Sequence, residues 1–180
     1  MPTLTPAGIA EALHAPILHV EAFWPLLVAA LTEQGIASDL VQVATAATIM
    51  VETGTFQPIN EEGGDAYFTR LYEHRNDLGN VNPGDGARFH GRGFVQITGR
   101  SNYQTFGQKL GLDLENSPDL ALDPTVAARV LALFFRTHGV SAHAEQQDWR
   151  GVRLRVNGGY NGWDLFNHYV LQLLPLIETT

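Results

Sequence analysis

Between Leu40 and Thr53 nearly every residue is apolar or small, and no polar stripe interrupts the run. Val41, Val43, Ala44, Ala46, Ala47, Ile49, Met50 and Val51 would ring the axis of a helix, leaving it no face for water. Such a helix has to be enclosed by other elements, so it is expected at the centre of the fold. Ser38-Asp39 offers a cap before it and Gly54 a stop after it. The chain has 180 residues, 44% of them hydrophobic, enough to build the covering layers as one domain over residues 1–180.

The covering elements also read as helices. Thr5-Pro6 looks like a cap with proline in the first turn, opening a helix through Leu13. Phe23, Trp24, Leu27, Val28 and Leu31 recur at steps of three and four, predicting a helix over Val20–Gln34. Short helices are predicted over Tyr67–Tyr72 and Ser101–Leu110, and a strongly apolar one over Thr125–Thr137, begun by Asp123-Pro124 and ended by Gly139. A last helix is predicted over Leu165–Ile177, with Pro175 fraying its end. Phe94–Thr98 alternates apolar and polar residues and predicts a short strand. The expected class is mainly α, with a minor β element.

Several classes of function are excluded. With no cysteine there is no disulfide, thiol chemistry or cysteine-ligated zinc. A net charge of −8 without a basic run argues against nucleic acid. The start, Met1-Pro2-Thr3-Leu4-Thr5-Pro6, has neither the basic region nor the apolar region of a signal peptide. No apolar run reaches the roughly 20 residues that span a bilayer, so no membrane insertion is expected. The seven histidines lack metal-binding spacing, and no metal or cofactor is expected.

The chemistry centres on carboxylates. Glu52 ends the apolar helix; if buried and unpaired, its neutral form is favoured by desolvation, which suits a general acid. Glycosidic cleavage needs a second carboxylate, and Glu61, Glu62 and Glu73 are the candidates. Gly91-Arg92-Gly93 lets backbone approach a ligand closely but lacks the spacing of a phosphate loop. Gln96, Thr98 and Asn102 are uncharged hydrogen-bonding residues near that turn, suited to sugar hydroxyls.

The pattern Asn80-x-x-Pro83-Gly84-Asp85-Gly86-x4-Gly91-Arg92-Gly93-x-x-Gln96-Ile97-Thr98-Gly99-Arg100-x-Asn102-Tyr103 resembles glycoside hydrolase family 19, and within it the phage and bacterial endolysins. Val51-Glu52-Thr53-Gly54 is similar to the family's acid motif, with Val51 for the usual His and Thr55 for the second Gly. The resemblance implies a lysozyme-like, two-lobed domain. It makes Glu52 the acid and Glu61, nine residues on, the base, with Glu73 as the alternative base. It gives Thr98 the water-positioning hydroxyl and makes Gln96, Asn102 and Asn157 sugar-binding amides. An arginine usual before a tyrosine in the last helix is replaced by His168 before Tyr169.

That resemblance further implies an inverting hydrolase of β-1,4 bonds in the glycan strands of peptidoglycan. It would be a cofactor-free monomer, held in the host cytoplasm until a holin releases it to the periplasm and cell wall. A chitinase and a catalytically inactive wall-binding module are the alternatives.

Overall fold

The structure, a computed structural model, describes residues 4–178; Met1-Pro2-Thr3, part of the stretch read for a signal peptide, lies outside them. The architecture is mainly α, with one two-residue antiparallel strand pair. The chain divides into two compact units. One is made of residues 1–57 and 131–180, the other of 58–130.

The first unit is helical. Thr5 caps α1 (Pro6–Leu13) by accepting from the Gly8 amide at 3.1 Å. α2 (Ile17–Glu33) starts three residues before its predicted start and carries Pro25 inside it. Ser38 caps α3 (Asp39–Thr53), which Gly54 ends in the left-handed region at φ 65°. α3 is the predicted central helix: every residue from Val41 to Met50 is buried. Two of its buried threonines are partnered within the helix, Thr45 donating to Val41 O at 2.8 Å and Thr53 to Ile49 O at 2.8 Å, whereas the buried Thr48 hydroxyl has no such partner.

The chain returns to this unit along α7 (Pro124–Thr137), within which the unit boundary falls. It continues through α8 (Val140–Glu145), α9 (Trp149–Asn157) and α10 (Trp163–Glu178). α10 packs on α3 and α1, and α8 and α9 also pack on α3. The fraying expected at Pro175 is absent, since α10 runs through Pro175 to Glu178. α8 has no clear sequence signal: six residues are too few to show a period.

The second unit is mostly loops pinned by short elements. It contains β1 (Ile59–Asn60), α4 (Asp65–Tyr72), a 3-10 turn at Asn76–Leu78, α5 (Asp85–Arg88), β2 (Arg92–Gly93), α6 (Arg100–Leu110) and a 3-10 turn at Pro118–Leu122. β1 pairs with β2 in the register Ile59 to Gly93 and Asn60 to Arg92.

The strand predicted over Phe94–Thr98 is a tight turn instead. Gly93 at φ 95° and Gln96 at φ 52° double the chain back, so that the Ile97 amide donates to Arg92 O at 3.1 Å. Phe94 and Ile97 are both buried by the reversal. Apolar residues three apart fit such a turn as well as they fit part of a strand, which is why the short pattern misled.

Candidate active site

In the first unit, Glu52 is the penultimate residue of α3, and the structure fixes that end of the helix firmly. The Thr53 hydroxyl accepts from the Phe56 amide at 3.0 Å, and Phe56 is buried with its ring 6.3 Å from that of Trp24. Glu52 is neither unpaired nor fully buried, contrary to the condition set for a neutral acid. Its side chain is 18% exposed, and Arg153 Nη1 donates to its Oε1 at 2.5 Å. Arg153 is itself only 3% exposed. Its Nε donates to the Asn161 carbonyl at 2.7 Å, and its Nη2 donates to the same oxygen.

Arg153 is aimed by α9, which Asp148 caps by accepting from the Gly151 amide at 2.9 Å. Asn157, a predicted sugar contact, sits one turn beyond Arg153 at the exposed end of the same helix. The turn that follows lies against the Glu52 helix, and Gly162 makes this possible. A Cβ there would stand 3.1 Å from Val51 Cγ1 and 3.3 Å from Arg153 Nη2. Val51, the departure from the usual histidine, thus packs under this turn. The position of His168 is exposed; the guanidinium beside the carboxylate comes from α9.

In the second unit, Glu61 follows β1, and both its oxygens accept hydrogen bonds. Tyr72 Oη donates to Oε1 at 2.6 Å and the Gly91 amide to Oε2 at 2.9 Å, while the Glu61 amide donates to Gly91 O at 2.8 Å. Burial, and after it the hydrogen bond to Glu61, pushes the Tyr72 phenol well above its ordinary range, so it stays a donor. Three side-chain oxygens converge over Gly91. A Cβ on Gly91 would lie 2.8 Å from Gln96 Oε1, 3.0 Å from Glu61 Oε2 and 3.2 Å from Thr98 Oγ1. The structure therefore gathers Glu61, Gln96 and Thr98 around one glycine.

The amide groups divide their work. Gln96 Nε2 donates to Ile59 O at 2.8 Å and to Gly93 O at 2.9 Å, so its nitrogen serves the scaffold while its oxygen turns to the Gly91 cluster. Asn102 is exposed and donates to Thr98 O at 2.7 Å, and Thr98 Oγ1 donates to Gln96 O at 3.2 Å.

Glu73 is bound differently. The amides of Gly84 and Gly86 donate to its two oxygens at 2.7 Å each, holding the carboxyl below the usual range. Both oxygens are taken up by the loop that they close. Glu62 is exposed. Among the described residues no three His, Asp or Glu gather as metal ligands, and no helix is long and apolar enough to cross a membrane.

Several residues that hold the site escaped the sequence reading. Asn80, fully buried, donates to Tyr72 O at 2.9 Å and accepts from the Arg100 amide at 2.8 Å, tying the phenol's backbone to α6. Asp85, 2% exposed, takes a bidentate pair from Arg100 and the amides of Val81 and Asn82. Arg92 reaches the Tyr103 hydroxyl at 3.0 Å, which in turn donates to His90 O at 2.8 Å. Burial pushes the Tyr103 phenol up to about 12. The long motif contains all of these residues, so most of it is scaffold. Arg153 and Tyr72 had no signal of their own, because their partners are distant in sequence.

Residues 63–147 match the family model described as chitinase class I. That segment, somewhat under half of the chain, is similar to glycoside hydrolase family 19. The matched segment includes Glu73, Gln96, Thr98 and Asn102; Glu52, Glu61 and Asn157 lie outside it. A family 19 domain-containing protein of Haemophilus influenzae is 35% identical over 95 residues, which is 53% of this chain and 46% of that protein. An acidic 27 kDa endochitinase of Solanum lycopersicum is 49% identical over 53 residues, 29% of this chain and 22% of that protein. The matched stretches thus span less than half the length of these curated family 19 relatives. The crystal structure of chitinase C from Streptomyces griseus superposes with a TM-score of 0.71 at 18% identity, covering 99% of this chain and 94% of that one. At that identity the likeness shows the fold alone.

Proposed function

We propose that the chain hydrolyses β-1,4 glycosidic bonds of bacterial peptidoglycan with inversion. Glu52 gives its proton to the leaving glycosidic oxygen. Glu61 takes a proton from a water molecule, and that oxygen bonds to the anomeric carbon as the C–O bond breaks. Thr98 and Gln96 orient the water. Exchange with solvent then returns the proton to Glu52 and removes it from Glu61.

The observation that carries this reading is the convergence of Glu61, Thr98 and Gln96 oxygens over Gly91. An attacking water needs acceptors on more than one side, and this cluster offers a carboxylate, a hydroxyl and an amide carbonyl. The same geometry favours Glu61 over Glu73: each carboxylate accepts two hydrogen bonds, but Glu61 has the Thr98 and Gln96 oxygens beside it, whereas Glu73 closes the loop at Gly84 and Gly86. In this reading the charge left when Glu52 gives up its proton meets the Arg153 guanidinium, which Asn161 fixes in place. Release from the cytoplasm to the wall by a partner holin belongs to the same reading.

A second reading, chitin hydrolysis, is favoured by the relatives whose names are endochitinases. One experiment separates the two. Purified peptidoglycan and chitin oligomers are each incubated with the unaltered protein and with Glu52→Gln, and new reducing ends are counted. The proposal expects wall clearing and reducing ends from the unaltered protein and neither from Glu52→Gln. Cleavage of chitin alone transfers the mechanism to the second reading, and equal activity of the two proteins removes Glu52 as the acid.

A further inference from the structure

Arg150 has two aromatic rings against its guanidinium. It is exposed in the first turn of α9, and among the described residues no carboxylate pairs with it. Its guanidinium carbon lies 4.9 Å from the Trp163 ring centroid and 5.6 Å from that of Tyr160. Tyr160 is 49% exposed and Trp163 is partly exposed. Arg75, Arg100 and Arg153, by contrast, are spent on Asp77, Asp85 and Glu52.

The position of this group matters as much as its composition. Arg150 precedes Arg153 by three residues, so the two share a face of α9, about 4.5 Å apart along the axis. Tyr160 is next to Asn161, whose carbonyl holds Arg153, which in turn holds Glu52. The cation and its two rings are therefore mounted on α9, the turn after it and the start of α10, beside the residues that orient Glu52. All these residues belong to one unit.

Exposed aromatic rings offer an apolar face with a polar edge, suited to the C–H face of a pyranose. A guanidinium stacked on such rings keeps its N–H edge free for a planar carboxylate, which it can bind through two parallel hydrogen bonds. A neutral amino sugar would use the rings alone, whereas a sugar that carries a carboxylate would use both. On a chain of net charge −8, an exposed cation without a carboxylate partner is a place that attracts such an anion.

Building on the peptidoglycan reading, we infer that Arg150, Tyr160 and Trp163 form a saccharide subsite for a carboxylate-bearing amino sugar, the lactyl ether of muramic acid. Arg150 is the residue that separates this glycan from chitin. It takes no part in bond cleavage.

The test measures binding without turnover. Glu52→Gln is titrated with a peptide-free tetrasaccharide of alternating N-acetylglucosamine and N-acetylmuramic acid, and separately with the chitin tetrasaccharide. The titrations are repeated with Arg150→Gln added. The expected result is a loss of about fivefold in affinity for the acidic tetrasaccharide and less than twofold for chitin, the difference closing in high salt. Tyr160→Ala should weaken both ligands. Equal losses with Arg150→Gln, no loss, or no binding of the acidic tetrasaccharide overturns the subsite. Turnover by the unaltered protein is read separately: cleavage of chitin alone defeats the peptidoglycan reading, while the subsite is judged on the charge-selective loss.

Discussion

In one unit Glu52 is fixed by a guanidinium from 101 residues later in the chain; in the other, Glu61 is fixed by a phenol 11 residues on and a backbone amide 30 residues on. The first arrangement depends on one side chain, itself held by two hydrogen bonds to the Asn161 carbonyl. The second is part backbone, and the strand pairing that delivers the Gly91 amide also delivers the acceptor for the Glu61 amide. A site held by a side chain can be dismantled by one substitution. A site held by backbone yields only when the local geometry is disturbed.

The largest effects fall on the two carboxylates themselves. Glu52→Gln and Glu61→Gln should each lower kcat by about 10²–10⁴-fold with little change in Tm. If Glu61→Gln leaves turnover intact and Glu73→Gln abolishes it, the assignment of the base is reversed. Gly91→Ala should cost about 100-fold, because its methyl would press on the Glu61, Gln96 and Thr98 oxygens at once. Far-UV circular dichroism checks that the fold survives.

Arg153→Ala tests the side-chain arrangement. It strips a largely buried carboxylate of its partner, so it should destabilise by about 3 kcal/mol and lower kcat together, read as a drop in the urea midpoint and in turnover. Tyr72→Phe tests the backbone arrangement, and removal of one hydrogen bond to a charged group should cost only about tenfold in kcat. A larger loss from Tyr72→Phe than from Arg153→Ala would break the comparison.

The smallest effect is on stability alone. The folded Glu73 carboxyl is held below the ordinary glutamate range by two amides. Its contribution is therefore present above about pH 4.5 and fades as the pH falls through the lower folded value. Glu73→Gln should retain most of its kcat, with a Tm deficit that is largest at neutral pH and narrows in acid. A deficit that widens in acid contradicts the loop-clamp role.

What the sequence disclosed follows the same division. α3 was legible because enclosure on every side leaves a continuous apolar record, and caps at Thr5, Ser38 and Gly54 marked helix ends where the structure has them. Glu52, Glu61 and Thr98 were named by motif resemblance and spacing. Arg153 was not, since an ion pair across 101 residues leaves no periodicity and no local pattern. Tyr72 read as one more aromatic on a short helix. The Phe94–Thr98 segment was misread because a two-residue strand and a tight reversal are too short to impose a period. Asn80, Asp85 and Arg100 were visible as letters of the motif, but their work, tying loops to one another, is a matter of three-dimensional closure.

The interrupted order of the first unit bears on its synthesis. α3 leaves the ribosome more than 100 residues before α10, the helix that covers it. The second unit, a single uninterrupted stretch, is complete while α3 still waits for its cover. Arg153 also follows Glu52 by 101 residues, so the Glu52 ion pair forms only after the whole second unit has been made. A nascent chain would carry Glu52 unpaired until the second unit and α9 have emerged.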